Sequence, residues 1–185
     1  MAELEDRVRA VEDHLACLNL RPEWEWACDI VQSAPVYDPD APGQDAAADA
    51  LDHMISLYTD DASMELYVPG GPHIIRGKEQ IRQYFRANRS AVQFCHTLES
   101  PWVRLDGDYA YVRWYTTMYT GDSFKSIAET RDVYQRVNGT WKIKRIAAYQ
   151  KITAVGGGID TWQGPWPSYL SELPSLQERE YFTNR

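Results

Sequence analysis

At 185 residues, with a formal charge of −8 and 44% hydrophobic content, the chain suits one domain with a sizeable core, the prior being roughly 100–200 residues per domain. Its lysines and arginines are scattered on an acidic background, which argues against nucleic acid and anionic membrane as partners. No apolar run approaches the ~18 residues of a spanning helix, and the charged start "MAELEDRVRAVEDH" is unlike a secretory leader, so the reading is cytoplasmic.

Cys17, Cys28 and Cys95 show no CxxC or Cys/His spacing. They are read as reduced thiols, with neither a metal site nor a disulfide framework expected. Aromatic content is 12%, with seven Trp and twelve Tyr. That suits a cavity lined with rings, or equally a large core with oligomer contacts.

In chain order, Leu4, Val8, Val11, Leu15 and Leu18 recur at spacings of four and three and predict a first helix over 3–20 with one apolar face. "RPEWEWACDIVQSA" (21–34) reads as a short second helix, and the Pro-rich stretch 35–45 as a loop. Helices follow over 46–58 and 77–88, with "ASMELYV" (62–68) alternating like a strand between them. From residue 92 the period becomes two. Asp106-Gly107, Gly121-Asp122 and Asn138-Gly139 are turn signals that divide the remainder into four antiparallel strands in a meander. Helices followed by a strongly curved sheet make an α+β plan in which the sheet wraps over the helices. The domain reading is one unit over 1–153 with a loop insertion at 35–45. The Gly/Trp/Pro-rich tail 154–185 would act as a lid or oligomer arm, with Trp162 and Trp166 beyond a Gly156-Gly157-Gly158 hinge.

Register can be read from the turns. Pairing Val103 and Leu105 with Val112 and Ala110 sends His96 to the far face by simple alternation, so a bulge at Ser100-Pro101 is predicted to return it to the concave side. Ala110, Val112, Trp114, Thr116 and Met118 form the core or pocket face of the next strand. Tyr109, Tyr111, Arg113, Tyr115 and Tyr119 form the other, which suits a subunit interface, with Arg113 or Tyr115 reaching ligand if the strand is sharply coiled. A two-residue turn at Asn138-Gly139 sets Arg136 against Trp141, Tyr134 against Ile143 and Asp132 against Arg145.

The first helix, "LYTDDASMEL", "IRGKEQIRQYF", "HTLESP" and "RVNGTWKIKRI", in that order, resemble the nuclear transport factor 2-like superfamily, and within it the SnoaL-like polyketide cyclase and dehydratase branch. The resemblance spans roughly residues 3–153. It implies a cone-shaped, curved antiparallel sheet around N-terminal helices (cystatin-like) that encloses an apolar pocket. It also implies cofactor-free dehydratase and aldehyde-releasing lyase chemistry, in proteins that are often trimers. In several relatives a histidine at the "HTLESP" position, here His96, acts with a carboxylate near the end of the first helix. The corresponding position here reads Asn19, which leaves three possibilities open: another acid serves, His96 works alone, or the chemistry differs. His14 stands where some relatives carry a pocket tyrosine.

Histidine is the side chain whose ordinary pKa of about 6.5 makes it a base near neutrality, so His96 is the leading catalytic candidate. Asn19 and His14 would position a leaving hydroxyl, and Tyr58 would donate to a substrate oxygen. Trp114, Arg113, Tyr115, Tyr134, Asp132 and Arg145 are the substrate-binding candidates. Asp132 with Arg145 could supply the missing carboxylate or be an ordinary cross-strand ion pair. His53 and His73, the latter in the Pro-Gly-Gly-Pro loop, are read as solvated. Cys95 is read as a small buried residue, because strand neighbours point to opposite faces. The expected function is a cofactor-independent lyase removing water or formaldehyde from a hydrophobic, hydroxylated aromatic or polycyclic molecule, without metal, and in a homo-oligomer (trimer favoured over dimer). Alternatives are an isomerase or cyclase on the same scaffold, or a non-catalytic subunit such as the β subunit of an aromatic-ring dioxygenase.

Overall fold

In the computed structural model, residues 2–34, 44–68, 71–89, 92–121, 123–155 and 158–160 are described. The loop at 35–43, Asp122, the glycines at 156 and 157, and the tail beyond residue 160, including Trp162 and Trp166, lie outside them. The elements run α1 (Ala2–Ser33), α2 (Gln44–Ser56), β1 (Tyr58–Val68), β2 (Gly71–Arg76), α3 (Lys78–Ala87), β3 (Phe94–Asp106), β4 (Tyr109–Thr120), β5 (Ser123–Val137), β6 (Thr140–Val155) and β7 (Gly158–Asp160). The strands form a mixed, curved, unclosed sheet of order β2-β1-β6-β5-β4-β3, with β7 paired to β6. The α+β fold with N-terminal helices is as the sequence predicts, and β3 to β6 are the expected antiparallel meander. Two features were not foreseen: β1 runs parallel to β6, and the Pro-Gly-Gly-Pro region supplies β2.

The first helix is one element, not two, and it continues through Pro22. A proline inside a helix costs about 3 kcal/mol through its missing N–H and steric clash. Burial offsets this: Cys17, Leu20, Arg21, Trp24, Ala27, Cys28 and Val31 are all 0–7% exposed, and each large apolar side chain so buried contributes about 1.5–3 kcal/mol. This row on both sides of Pro22 binds α1 across the sheet. The apolar stripe read from the sequence is not this row: Leu4, Val8, Val11 and Leu15 are exposed. Asp13, on the buried side, accepts from Arg136 Nη2 at 2.5 Å and from Trp141 Nε1 at 3.0 Å. These bonds tie α1 to the β5–β6 hairpin and hold the Asp13 carboxyl below its usual value.

The predicted bulge is present. Glu99 pairs with Tyr115 and Trp102 with Arg113, so Ser100 and Pro101 together oppose Trp114. Ser100 takes φ 51°, the left-handed region that gives such a bulge its bend. Beyond it Val103 pairs with Val112, while before it His96 pairs with Met118. Both residues therefore face inward. A second irregularity overturns one pairing: between Val133 and Tyr134 the register shifts, so Arg145 stands opposite Val133 and not opposite Asp132. Tyr134–Ile143 and Arg136–Trp141 are paired as expected.

Candidate active site

A cavity of about 390 Å³ opens between α1, α3 and the concave sheet face. Its walls are apolar: Trp24, Met64, Leu66, Phe85, Met118 and Ile146. Its polar groups include Arg21, Glu25, Gln32, His73, Asn88, His96, Thr116, Ser126, Thr130 and Gln150. Two turns of α1 build the charged part, because Arg21, Glu25 and Asp29 recur every four residues and share one side of the helix.

His96 lies on the edge strand, whose outer N–H groups need partners. The α1 helix supplies them. Phe94 N–H donates to Ser33 Oγ at 2.8 Å, and His96 N–H donates to Asp29 Oδ2 at 3.0 Å. The other Asp29 oxygen lies 2.5 Å from His96 Nδ1, and Glu25 Oε2 is 3.3 Å from the same nitrogen. With Nδ1 engaged by carboxylates, Nε2 is the ring atom left to exchange a proton with a ligand. Behind Glu25 the network goes deeper. Arg21 Nη2 meets Glu25 Oε1 at 2.8 Å, Arg21 Nη1 donates to Asp132 Oδ2 at 3.2 Å, and Tyr134 Oη donates to that same oxygen at 3.3 Å.

The charges in this cluster do not balance when the imidazole is neutral: Arg21 is ion-paired with Glu25 and Asp132, and Asp29 adds a third carboxylate. Proton uptake corrects the imbalance. Burial disfavours the His96 imidazolium, but the carboxylates of Glu25 and Asp29 outweigh it and raise the pKa above 6.5. Burial also raises Asp132, to about 6, against the pull of Arg21 and with Glu25 adding to the rise. One arginine shared by two buried carboxylates leaves the deeper one protonatable.

Glu25, Cys28 and His96 offer ligand atoms within 4.8 Å of one another, yet they are a poor cation site. Arg21 already occupies Glu25, and burial drives the Cys28 thiol well above its usual value, so it holds its proton.

Several sequence candidates sit elsewhere. His14 and Asn19 are exposed on α1 and do not line the cavity; Asp29, ten residues on, is the carboxylate that meets His96. Tyr58 opens β1 and is buried in the core at 2% exposure, within reach of the Arg21 charge and not on the cavity wall. Trp114 and Tyr134 are buried in that core on the concave side. Asp132 is buried with them; its ion pair is with Arg21, and the Arg145 charge acts on it from farther away. Arg145 precedes the wall residue Ile146 and so belongs to the opposite face. Arg113 and Tyr115 share the convex face, the guanidinium 5.8 Å from the ring centroid. Cys95 is exposed, not buried; His73 is exposed, as expected, and borders the cavity from β2.

Sequence reading put Thr116 on the pocket face without a role, and missed Arg21, Glu25, Asp29 and Thr130. The Thr116 and Thr130 hydroxyls are buried on the wall and lack partners, the condition of groups that a ligand oxygen would satisfy. A signal for the acids was present: "RPEWEWACDIVQ" read at helical spacing through the proline puts arginine and both acids on one side.

Comparison with known proteins agrees with this architecture. Residues 43–147 match the SnoaL-like domain family, and the chain belongs to it, within the nuclear transport factor 2-like superfamily. The matched region begins after α1, so Glu25 and Asp29 lie outside it. No curated protein matches the chain. Among solved structures, an NTF2-like protein with a cystatin-like fold from Novosphingobium aromaticivorans is similar, with TM-score 0.63 and 15% identity over 80% of this chain and 88% of that one. A protein provisionally named a scytalone dehydratase from the same organism has TM-score 0.58 and 11% identity, covering 84% and 91%. One provisionally named an aromatic ring hydroxylase, again from that organism, has TM-score 0.56 and 21% identity, covering 82% and 94%. These likenesses carry the fold, which is compatible with enzymes of dehydratase and cyclase type.

Proposed function

We propose that the protein is a cofactor-independent lyase that removes water or formaldehyde from a hydrophobic, hydroxylated aromatic or polycyclic molecule. The observation that supports this most is His96 on the cavity wall with Nδ1 gripped by Asp29 at 2.5 Å. In this reading the neutral imidazole takes a proton at Nε2 from the substrate, and the resulting imidazolium is stabilised by Asp29 and Glu25. In water loss the proton comes from carbon and is returned to the departing hydroxyl; in formaldehyde loss it comes from the hydroxymethyl O–H, the C–C bond breaks, and the proton goes to the carbon that keeps the electron pair. Thr116 and Thr130 donate to substrate oxygens, and the apolar wall holds the ring system in place. A phenol or carbonyl in the substrate carries the developing charge, so the protein supplies orientation and one base in a site with little water. An isomerase or cyclase would use the same first proton transfer. An open cavity holding a paired histidine favours either of these over a non-catalytic subunit.

The test is to incubate the protein with a panel of hydroxylated aromatic dimers and polycyclic alcohols and identify products by mass. The expected activity rises with pH through a midpoint above 6.5, because the base must lose the proton that its carboxylates retain. Asp29→Asn removes one of those carboxylates and should move the midpoint down. Product of unchanged mass assigns isomerisation, and a profile indifferent to Asp29→Asn contradicts the role of the pair.

A further inference from the structure

The α1 helix carries two apolar faces. Cys17, Leu20 and Trp24, continuing the side of Asp13, pack on the body. At about 100° per residue, Leu4, Val8, Val11 and Leu15 lie on nearly the opposite side, exposed at 64%, 48%, 59% and 53%. Residues 3–12 are exposed all round the helix, so its first turns stand clear of the sheet. Leu4, Val8 and Val11 line a shallow groove bordered by Arg7 and Glu12.

From this we infer that the N-terminal half of α1 pairs with the same segment of a second copy of this chain, as a parallel two-stranded coiled coil. The spacing is that of a heptad seam, with Val8 and Leu15 at one core position and Leu4 and Val11 at the other; Leu18, the next in the series, is already packed on the body. The flanking charges select both partner and direction. In a parallel, in-register pair, Arg7 of one copy lies beside Glu12 of the other. An antiparallel pair would instead set Glu5 against Glu12, like against like. Because the seam and the body-facing row are on opposite sides of the helix, the two bodies sit outside the stem without colliding.

The experiment is sedimentation equilibrium on the full chain. Wild type is expected to show a concentration-dependent mass of two copies. Val8→Glu with Leu15→Glu should weaken association by at least about a hundredfold, since each glutamate would be buried in the seam. Arg7→Glu should weaken it several-fold, and Arg7→Glu with Glu12→Arg should restore it. Association unaffected by the seam substitutions overturns the proposal, as does a mass of three copies. A monomeric wild type overturns it too, and if the seam substitutions then lower its unfolding midpoint, the stripe is covered by another segment of the same chain.

Discussion

Replacing His96 by alanine is expected to lower turnover by about 10²–10⁴-fold, the range for removing a positioned acid–base group. The loss should fall on kcat with little change in KM, because the apolar walls that hold the substrate are untouched and only the proton transfer is removed. Folding should survive. The imidazole is at the cavity surface, with a side-chain exposure of 11%, and in the variant the residue 96 N–H still donates to Asp29. A thermal midpoint within a few degrees of wild type, together with collapsed turnover, separates catalysis from stability. Unchanged turnover would remove His96 from the mechanism.

The largest effect on stability is expected at Arg21. Arg21→Met keeps most of the side-chain volume but leaves the Glu25 and Asp132 carboxylates without their shared cation, at 5% and 0% side-chain exposure. Breaking a buried ion pair from one side costs about 3–5 kcal/mol, readable as a lower denaturant midpoint at unchanged slope. The sign of the pH dependence follows from Asp132. Its folded pKa, about 6 against 3.8, means the folded protein binds the extra proton, so stability declines as pH rises through that window. Without Arg21 the folded value moves higher still, and the deficit of the variant widens as the solution becomes more alkaline. Asp132→Asn added to Arg21→Met should recover part of the loss, since the amide carries no charge. A variant as stable as wild type at alkaline pH would mean that the network contributes nothing.

Much of the sheet was legible because its signals are local. The change of period at residue 92 and the turn glycines fix the meander, and the pairing of Val103 with Val112, set beside an inward histidine, requires the bulge at Ser100 and Pro101. What could not be read depends on tertiary context. The spacing of Leu4 to Leu15 shows that one side of a helix is apolar, not what it meets, so the sequence could not tell that these residues are exposed. Pro22 looked like a stop because local propensity opposes it; only burial on both sides of it holds the helix together. That misplaced end is why the carboxylate was sought at Asn19 rather than at Asp29. The Asp132–Arg145 pairing failed through the register shift after Val133, which has no turn or glycine to announce it. Parallel pairing of β1 with β6 is likewise non-local.

The account rests on a carboxylate-bound imidazole at the cavity wall, and the titration of the His96 ring followed by NMR in wild type and in Asp29→Asn addresses it most directly. The expected result is a midpoint above 6.5 in wild type that falls when Asp29 becomes asparagine. A ring that titrates as a free imidazole, and does so identically in both proteins, would contradict it.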